Sequence, residues 1–148
     1  MGRNKINYST KGDVLSKVIR NEAKDWYEGA LIDLEEACSA LAGKRYNWAL
    51  FAAHQAVEKA LKAAYIVIKR SKPPRVHDLT RLINELNIGL PDELRIGISE
   101  LSPYYLIARY PNAGLERPWE SIDKSTAERL IKVAEEVVKL VGRTAGLR

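Results

Sequence analysis

The sequence predicts an all-α fold, an up-and-down bundle of about five helices, from three observations. Apolar residues recur at helical spacing in several long segments, and no segment alternates with period two over the length of a strand. The six prolines stand between these segments or near their ends. The links are short, which favours antiparallel neighbours. At 148 residues the chain is one domain by length.

The first two helices are predicted from their ends as well as from their apolar stripes. Residues 13–43 form the first helix, which ends at a glycine turn. Cys38 lies in the apolar stripe of this helix and is expected in the core. Residues 45–69 form the second helix, and Pro73-Pro74 prevents its continuation.

The next two helices are shorter. Residues 77–86 place four large apolar side chains on one face, and His77 or Asp78 is expected to cap this helix. Pro91 stands near the first turn of the fourth helix, which stops before Pro103.

One long helix is predicted at the end of the chain. Before it, residues 104–111 form one or two turns that end at Pro111, and a loop follows. Ser125 and Glu128 have the Ser-x-x-Glu spacing of a capping box, so this helix is predicted to begin at Ser125.

The second helix carries three stripes of different character. Alanines form a smooth stripe, and larger apolar side chains form another beside it. A helix that is apolar over most of its circumference belongs in the middle of a bundle. The remaining stripe is polar and contains the only glutamine of the chain: Gln55, Glu58, Lys59 and Lys62.

The formal net charge of +5 is distributed unevenly along the chain. Residues 1–11 carry +3 and the loop 69–76 carries +4, which leaves −2 on the remainder. We interpret residues 1–12 as a flexible basic N-terminal tail and residues 13–148 as a single helical domain. The tail and the loop are either solvated or steer a phosphate-bearing partner.

Hydropathy and cysteine content bear on location. No apolar run approaches the roughly 20 residues that a membrane span requires, and the first residues show no secretory signal. We therefore expect no membrane association. A single cysteine suits a reducing cytosol, so a cytoplasmic location is expected. The scarcity of thermolabile Gln, Cys and Met points to a hot habitat.

Common metal-binding and catalytic motifs are missing from the sequence. His54 and Glu58 have the i, i+4 spacing that can hold a metal, but no His-Glu-x-x-His pair or cysteine cluster accompanies them. His54 lies on the bulky side of its helix and is expected to be a partly buried, hydrogen-bonded histidine. We predict no metal, no cofactor and no catalytic residue.

Arg109 has two interpretations. It closes an apolar run and is flanked by Tyr105 and Tyr110. Such an arginine either stacks on an aromatic ring and pairs with an acid such as Glu58, or keeps its guanidinium fork free for a phosphate.

Three motifs, taken in order, resemble a known family. They are the segment 48–65 with its Gln-Ala-Val-Glu-Lys-Ala-Leu-Lys-Ala core, then His77-Asp78-Leu79, then Ala108-Arg109-Tyr110-Pro111. Over about residues 22–143 the chain resembles the HEPN (higher eukaryotes and prokaryotes nucleotide-binding) domain family. The resemblance implies an all-α bundle, usually a homodimer, often encoded as the partner of a minimal nucleotidyltransferase in toxin–antitoxin pairs.

The resemblance also implies a set of binding residues. Many HEPN proteins are metal-independent RNases that use an arginine followed, after four to six residues, by a histidine. No histidine follows Arg109 at those spacings, so the nuclease site looks incomplete and the sequence leans away from an enzyme. Carried over by position, the nucleotide-binding residues are Gln55, Glu58, Lys59, Lys62, His77, Asp78, Arg109 and Tyr110.

Our main hypothesis is that the polar stripe of the second helix lines a groove with Arg109, where a nucleotide or RNA binds. In the alternative, the stripe is a structural network in which Glu58 bridges Lys62 and Arg109. Three functions follow: a nucleotide- or RNA-binding accessory module for a nucleotidyltransferase, an RNase with an unusual base, or a dimeric interaction scaffold.

Overall fold

The computed structural model describes residues 13–147, so the predicted tail, residues 1–12, lies outside the described part. The described residues form helices and no strand. Five helices have eight residues or more, which confirms the predicted all-α bundle of about five helices, and α5 and α6 have four residues each. The helices are α1 (Asp13–Ala42), α2 (Tyr46–Lys69), α3 (Leu79–Leu86), α4 (Asp92–Leu101), α5 (Tyr104–Ile107), α6 (Pro118–Ser121) and α7 (Lys124–Thr144).

Helices α1 and α2 form an antiparallel hairpin. The turn between them places Lys44 in the left-handed region, with φ of 60°, and the Arg45 amide donates to the Ala40 carbonyl at 2.8 Å. The alanine stripe of α2 is fully buried and lets the neighbouring helices approach closely. Helix α2 therefore lies in the middle of the bundle, as its sequence predicts.

Helix α7 closes the bundle against α1 and α2. The Tyr27 hydroxyl donates to the Val138 carbonyl at 3.0 Å across the α1–α7 interface. Gly142 leaves space for this tyrosine, because a Cβ at that position would collide with the hydroxyl group. No helix in the described part of the chain is long and apolar enough to cross a membrane.

Two helix caps differ in how well the sequence predicted them. The Asp78 side chain accepts a hydrogen bond from the Arg81 amide at 3.2 Å, which confirms the predicted cap of α3. The prediction that α7 begins at Ser125 is wrong. Asp123 is the N-cap, and its side chain accepts from the Thr126 amide at 2.7 Å. The earlier acceptor places Ser125 inside the first turn of the helix.

The prediction that Cys38 lies in the core is also wrong. Its side chain is exposed in a surface cleft between α1 and α7, where Sγ donates to Glu135 Oε1 at 3.7 Å. Partial burial and the neighbouring carboxylate raise the pKa of the Cys38 thiol. At Cys38 the apolar stripe of α1 extends past the part of the helix that is buried in the bundle.

Candidate functional site

A buried carboxylate lies at the centre of the polar stripe of α2. Glu58 is 4% exposed and Lys62, one turn further along, is 6% exposed. The Lys62 ammonium donates to Glu58 Oε2 at 3.1 Å. The other oxygen, Oε1, accepts from His77 Nδ1 at 2.8 Å. Both carboxylate oxygens thus have hydrogen-bond donors, which offsets the cost of burying the charge.

His77 reaches Glu58 from the loop before α3 while much of its side chain stays in solvent. The side chain is 44% exposed, and its ring stacks on Tyr105 with centroids 3.9 Å apart and planes inclined by 12°. Because a carboxylate can only accept, Nδ1 carries the proton in the bond to Glu58. In the neutral ring, Nε2 is then an acceptor, and it has no hydrogen-bond partner among residues 13–147.

His54 holds the backbone of that loop. The side chain is fully buried, and Nε2 lies 3.0 Å from the His77 carbonyl oxygen, so Nε2 is the nitrogen that donates. Burial lowers the pKa of His54, although Glu58 Oε1 lies only 3.9 Å from Nδ1. The prediction of a hydrogen-bonded histidine is confirmed, but the side chain is fully rather than partly buried. Gln55 also lies beside His54, with Gln55 Oε1 at 3.4 Å from His54 Nδ1.

Arg109 is surrounded by three aromatic rings. Its Cζ atom lies 4.6 Å from the ring centroid of Phe51, 4.8 Å from that of Tyr105 and 5.0 Å from that of Tyr110. Nε donates to the Tyr105 carbonyl at 2.9 Å. Neither terminal nitrogen has a hydrogen-bond or ion-pair partner in the described part of the chain.

The two interpretations of Arg109 are resolved by the partners of Glu58. The network interpretation is correct for the pair of Glu58 with Lys62 and wrong for Arg109, since the second carboxylate oxygen accepts from His77 instead. No ion pair joins Glu58 to the guanidinium among residues 13–147. Arg109 stacks on aromatic rings, and its two terminal nitrogens have no hydrogen-bond or ion-pair partner among residues 13–147.

The segment that carries Arg109 is anchored on the beginning of α2. Asn47 is 8% exposed, and its Nδ2 donates to the carbonyl of the fully buried Ala108 at 3.2 Å. This long-range bond fixes the backbone immediately before Arg109. The short helix α5 precedes it and supplies Tyr105.

Lys59 contacts α1. Its ammonium lies 2.8 Å from Asp33 Oδ2, outside hydrogen-bond geometry, and its aliphatic stem packs over Gly29. Lys62 is paired with Glu58, as described above. Of the three cations expected along the groove, Arg109 is the one without a carboxylate partner among residues 13–147.

Asp78 and Tyr110 occupy different environments. Asp78 Oδ1 caps α3 and also accepts from the Ser102 hydroxyl at 3.5 Å, so its contacts are structural. Tyr110 is 50% exposed beside Arg109. Within residues 13–147, no three His, Cys, Asp or Glu side chains are grouped to hold a metal ion.

Three aromatic residues of this site were not selected from the sequence. Phe51 and Tyr105 contact Arg109, and Trp48 packs edge-on against Phe51 with centroids 6.0 Å apart and planes at 86°. A signal was present for two of them. Phe51 lies four residues before Gln55 on the polar stripe, and Tyr105 lies four residues before Arg109.

These features define a class of protein: an antiparallel helical bundle whose central helix supplies a buried glutamate–lysine–histidine network beside an arginine among aromatic rings. The sequence model of the HEPN domain matches residues 23–144. The chain belongs to the HEPN domain family.

Solved structures show the same fold. A protein from Thermus thermophilus is 31% identical, with a TM-score of 0.75 over 83% of this chain and 98% of that one. An archaeal HEPN homologue is 28% identical, with a TM-score of 0.70 over 83% and 97%. A HEPN domain protein from Thermotoga maritima, 23% identical with a TM-score of 0.63 over 82% and 98%, shows the fold alone. A comparison with curated proteins finds no match.

Proposed function

We propose that this protein is a nucleotide- or RNA-binding HEPN module that holds a phosphate group at Arg109. The observation that carries the proposal is the guanidinium itself. Its Nε is bound to the Tyr105 carbonyl, three rings surround it, and neither terminal nitrogen has a partner in the described residues. A guanidinium fork of this kind binds phosphate oxygens through two parallel hydrogen bonds.

The contacts of Arg109 restrict its side chain before a ligand binds. The aromatic rings and the bond from Nε restrict the side chain, so less rotational freedom is lost when a phosphate binds. Binding should weaken strongly with salt, because phosphate contacts release counterions.

The remaining residues of the proposed site divide by their contacts. Tyr110 and His77 are partly exposed beside Arg109 and Tyr105 and are proposed to touch the ligand. The others are proposed to position these groups or to shape the adjoining surface. They are Gln55, Glu58, Lys59, Lys62 and Asp78.

Titration with a nucleoside triphosphate at low salt tests the proposal. Arg109→Ala removes a charged hydrogen bond to phosphate and should weaken binding by about ten- to a hundredfold. Arg109→Lys keeps the charge but loses the fork, so it should recover only part of the affinity. Unchanged affinity in Arg109→Ala, with the fold intact by circular dichroism, would refute the assignment.

A metal-independent RNase is a second candidate, favoured by the bond between His77 and Glu58. The carboxylate orients the imidazole and leaves Nε2 as an acceptor beside Tyr105, which also contacts Arg109. A histidine so placed can take the proton of a ribose 2′-hydroxyl while the hydroxyl oxygen attacks phosphorus. The bond between phosphorus and the 5′-oxygen then breaks, and the 5′-oxygen takes a proton from water. His77 would thereby take the place of the histidine missing after Arg109.

Cleavage of end-labelled RNA in the presence of a chelator tests the second candidate. Loss of a general base should lower the rate by about a hundredfold or more in His77→Asn, while phosphate binding at Arg109 persists. If RNA stays intact after long incubation with the wild-type protein, the RNase candidate is rejected and only the binding function remains.

We further propose that the protein works in the cytoplasm as a homodimer and as the partner of a minimal nucleotidyltransferase. Family membership supports the partner. Apolar residues on α1 support the dimer, because Leu31 and Ile32 are 43% and 56% exposed. Light scattering at micromolar concentration measures the mass, and co-purification with a nucleotidyltransferase encoded beside the gene tests the partner.

A further inference from the structure

The contacts of Arg109 belong to a longer row of rings. Trp48 packs on Phe51, Phe51 lies under the Arg109 guanidinium, the guanidinium also contacts Tyr105, and Tyr105 stacks on His77. Each of these contacts is between 3.9 and 6.0 Å. Tyr110 branches from the guanidinium at 5.0 Å. We call this row the aromatic strip: Trp48, Phe51, Tyr105, His77, Arg109 and Tyr110.

Several members of the aromatic strip present surface to solvent. Trp48 is 49% exposed, Tyr110 is 50% exposed and the His77 side chain is 44% exposed. Tyr27, by contrast, is 5% exposed in the core, while Trp119, which lies outside the strip, is 50% exposed. The exposed rings are placed at both ends and at the middle of one row, so more than one planar group can stack along it at the same time.

Positive charge continues beyond the His77 end of the strip. The loop 69–76 leads directly to His77 and carries a charge of +4 without an acid. Lys72 and Arg75 are exposed, and no ion pair joins either of them to a carboxylate of the described residues. The surface therefore combines ring faces, a guanidinium without a carboxylate partner among the described residues, and a basic loop that adjoins His77.

We propose that the aromatic strip binds single-stranded nucleic acid several nucleotides long rather than a mononucleotide. Bases stack on the exposed rings of Trp48 and Tyr110 and on the stacked pair of His77 and Tyr105, while Arg109 holds a backbone phosphate. This inference rests on the proposed function, since it extends the same phosphate site to neighbouring nucleotides. Aromatic side chains in a basic groove are the common solution for binding unpaired bases.

The chemistry favours a single strand over the alternatives. A duplex hides its base faces in the stack, so exposed rings gain nothing from it. A proline-rich peptide also docks on exposed aromatic rings, but it carries no phosphate that would pair with the guanidinium and with a loop of charge +4. A mononucleotide covers one ring and one phosphate site and leaves the other rings bare.

The experiment is a titration by fluorescence anisotropy at low salt. The ligands are labelled uridine monophosphate, octauridylate and the deoxythymidine octamer, with a duplex RNA and a proline-rich peptide as competitors. The proteins are wild type, Trp48→Leu, Tyr110→Leu and the control Trp119→Leu. Trp119 is also 50% exposed and lies over Arg117 at 5.7 Å, but no ring contact joins it to the aromatic strip in the described residues.

We expect the octamer to bind at least about tenfold more tightly than the mononucleotide. Trp48→Leu should weaken octamer binding by about five- to a hundredfold and weaken mononucleotide binding less, because each base stacked on a ring contributes that much and a mononucleotide covers one ring only. Tyr110→Leu should also weaken octamer binding, and Trp119→Leu should change it less than twofold. The ribo- and deoxyribo-octamers tell whether the strand is RNA or DNA, and tight binding of either supports the proposal.

Several results would overturn it. Equal affinity for mononucleotide and octamer, or equal effects of Trp48→Leu and Trp119→Leu, would reject the aromatic strip while the phosphate site at Arg109 stands. Effective competition by the duplex or by the peptide would also reject it. If neither mononucleotide nor octamer binds, the proposed function itself fails. Circular dichroism of each variant separates these outcomes from loss of fold.

Discussion

Glu58→Gln is expected to destabilise the protein far more than His77→Asn, because the two changes leave different groups unpaired. The side chains of Glu58 and Lys62 are 6% and 8% exposed, so the glutamine leaves a buried ammonium without its counter-charge. Removing one partner of a buried ion pair costs roughly 3–5 kcal/mol. The contact with His77 is partly open to solvent, and such pairs contribute about 1 kcal/mol or less.

The effect should be visible in both thermal and urea unfolding. For a domain of this size each kcal/mol shifts the Tm by about 4 °C, so Glu58→Gln lowers the Tm by roughly 12–20 °C. The lower part of that range is expected, because both side chains keep a small contact with water. His77→Asn should lower the Tm by about 4 °C or less.

A double variant separates the buried charge from a simple loss of packing. Glu58→Leu with Lys62→Met removes both charges, and the free energy of unfolding should return to within about 1 kcal/mol of wild type. Two results would refute the reasoning. A cost below about 1 kcal/mol for Glu58→Gln would mean that the Lys62 ammonium reaches water, and additive costs in the double variant would mean that the charges are not coupled.

Further changes test other parts of the fold. Burial lowers the pKa of His54, so stability present above the ordinary histidine pKa of about 6.5 is lost as the pH falls below it. Melts at about pH 7 and pH 5 should show a smaller loss in His54→Gln than in wild type. Hydrogen bonds from the first turn of α7 lower the pKa of Asp123, so its contribution is present above the ordinary aspartate pKa and is lost as the pH falls through the lowered one. Asp123→Asn keeps an N-cap side chain but cannot be protonated in this range, so the loss of Tm on acidification should become smaller. An unchanged loss of Tm would contradict the role of Asp123. Gly142→Ala places a Cβ against the Tyr27 hydroxyl and should cost about 1–3 kcal/mol in urea unfolding, whereas Gly89→Ala, with open space around it, should change stability by less than about 0.5 kcal/mol. Equal costs for the two alanines would contradict the clash.

The helices could be predicted because their signals are local. The three stripes of α2 and the prolines that follow it are properties of consecutive residues, and the observed helix, Tyr46–Lys69, agrees with the predicted range to one residue. The start of α7 was predicted wrongly, at Ser125, although its signal is also local. Aspartate and serine are both favourable N-cap residues, and only the backbone geometry shows that the Asp123 side chain accepts from the Thr126 amide.

The partners of the site residues depend on contacts between distant segments. The sequence by itself predicted His77, Glu58 and Arg109 as site residues and showed that they are charged or hydrogen-bonding groups. Only the tertiary structure decided that His77 takes the carboxylate oxygen of Glu58, because the loop before α3 docks there, and that Arg109 lies against Phe51, which precedes it by 58 positions. Cys38 shows the same limit: its helical spacing is that of a core residue, but its side chain is exposed in the cleft between α1 and α7. Periodicity is set by the backbone of one helix, whereas burial and pairing are set by which neighbours arrive.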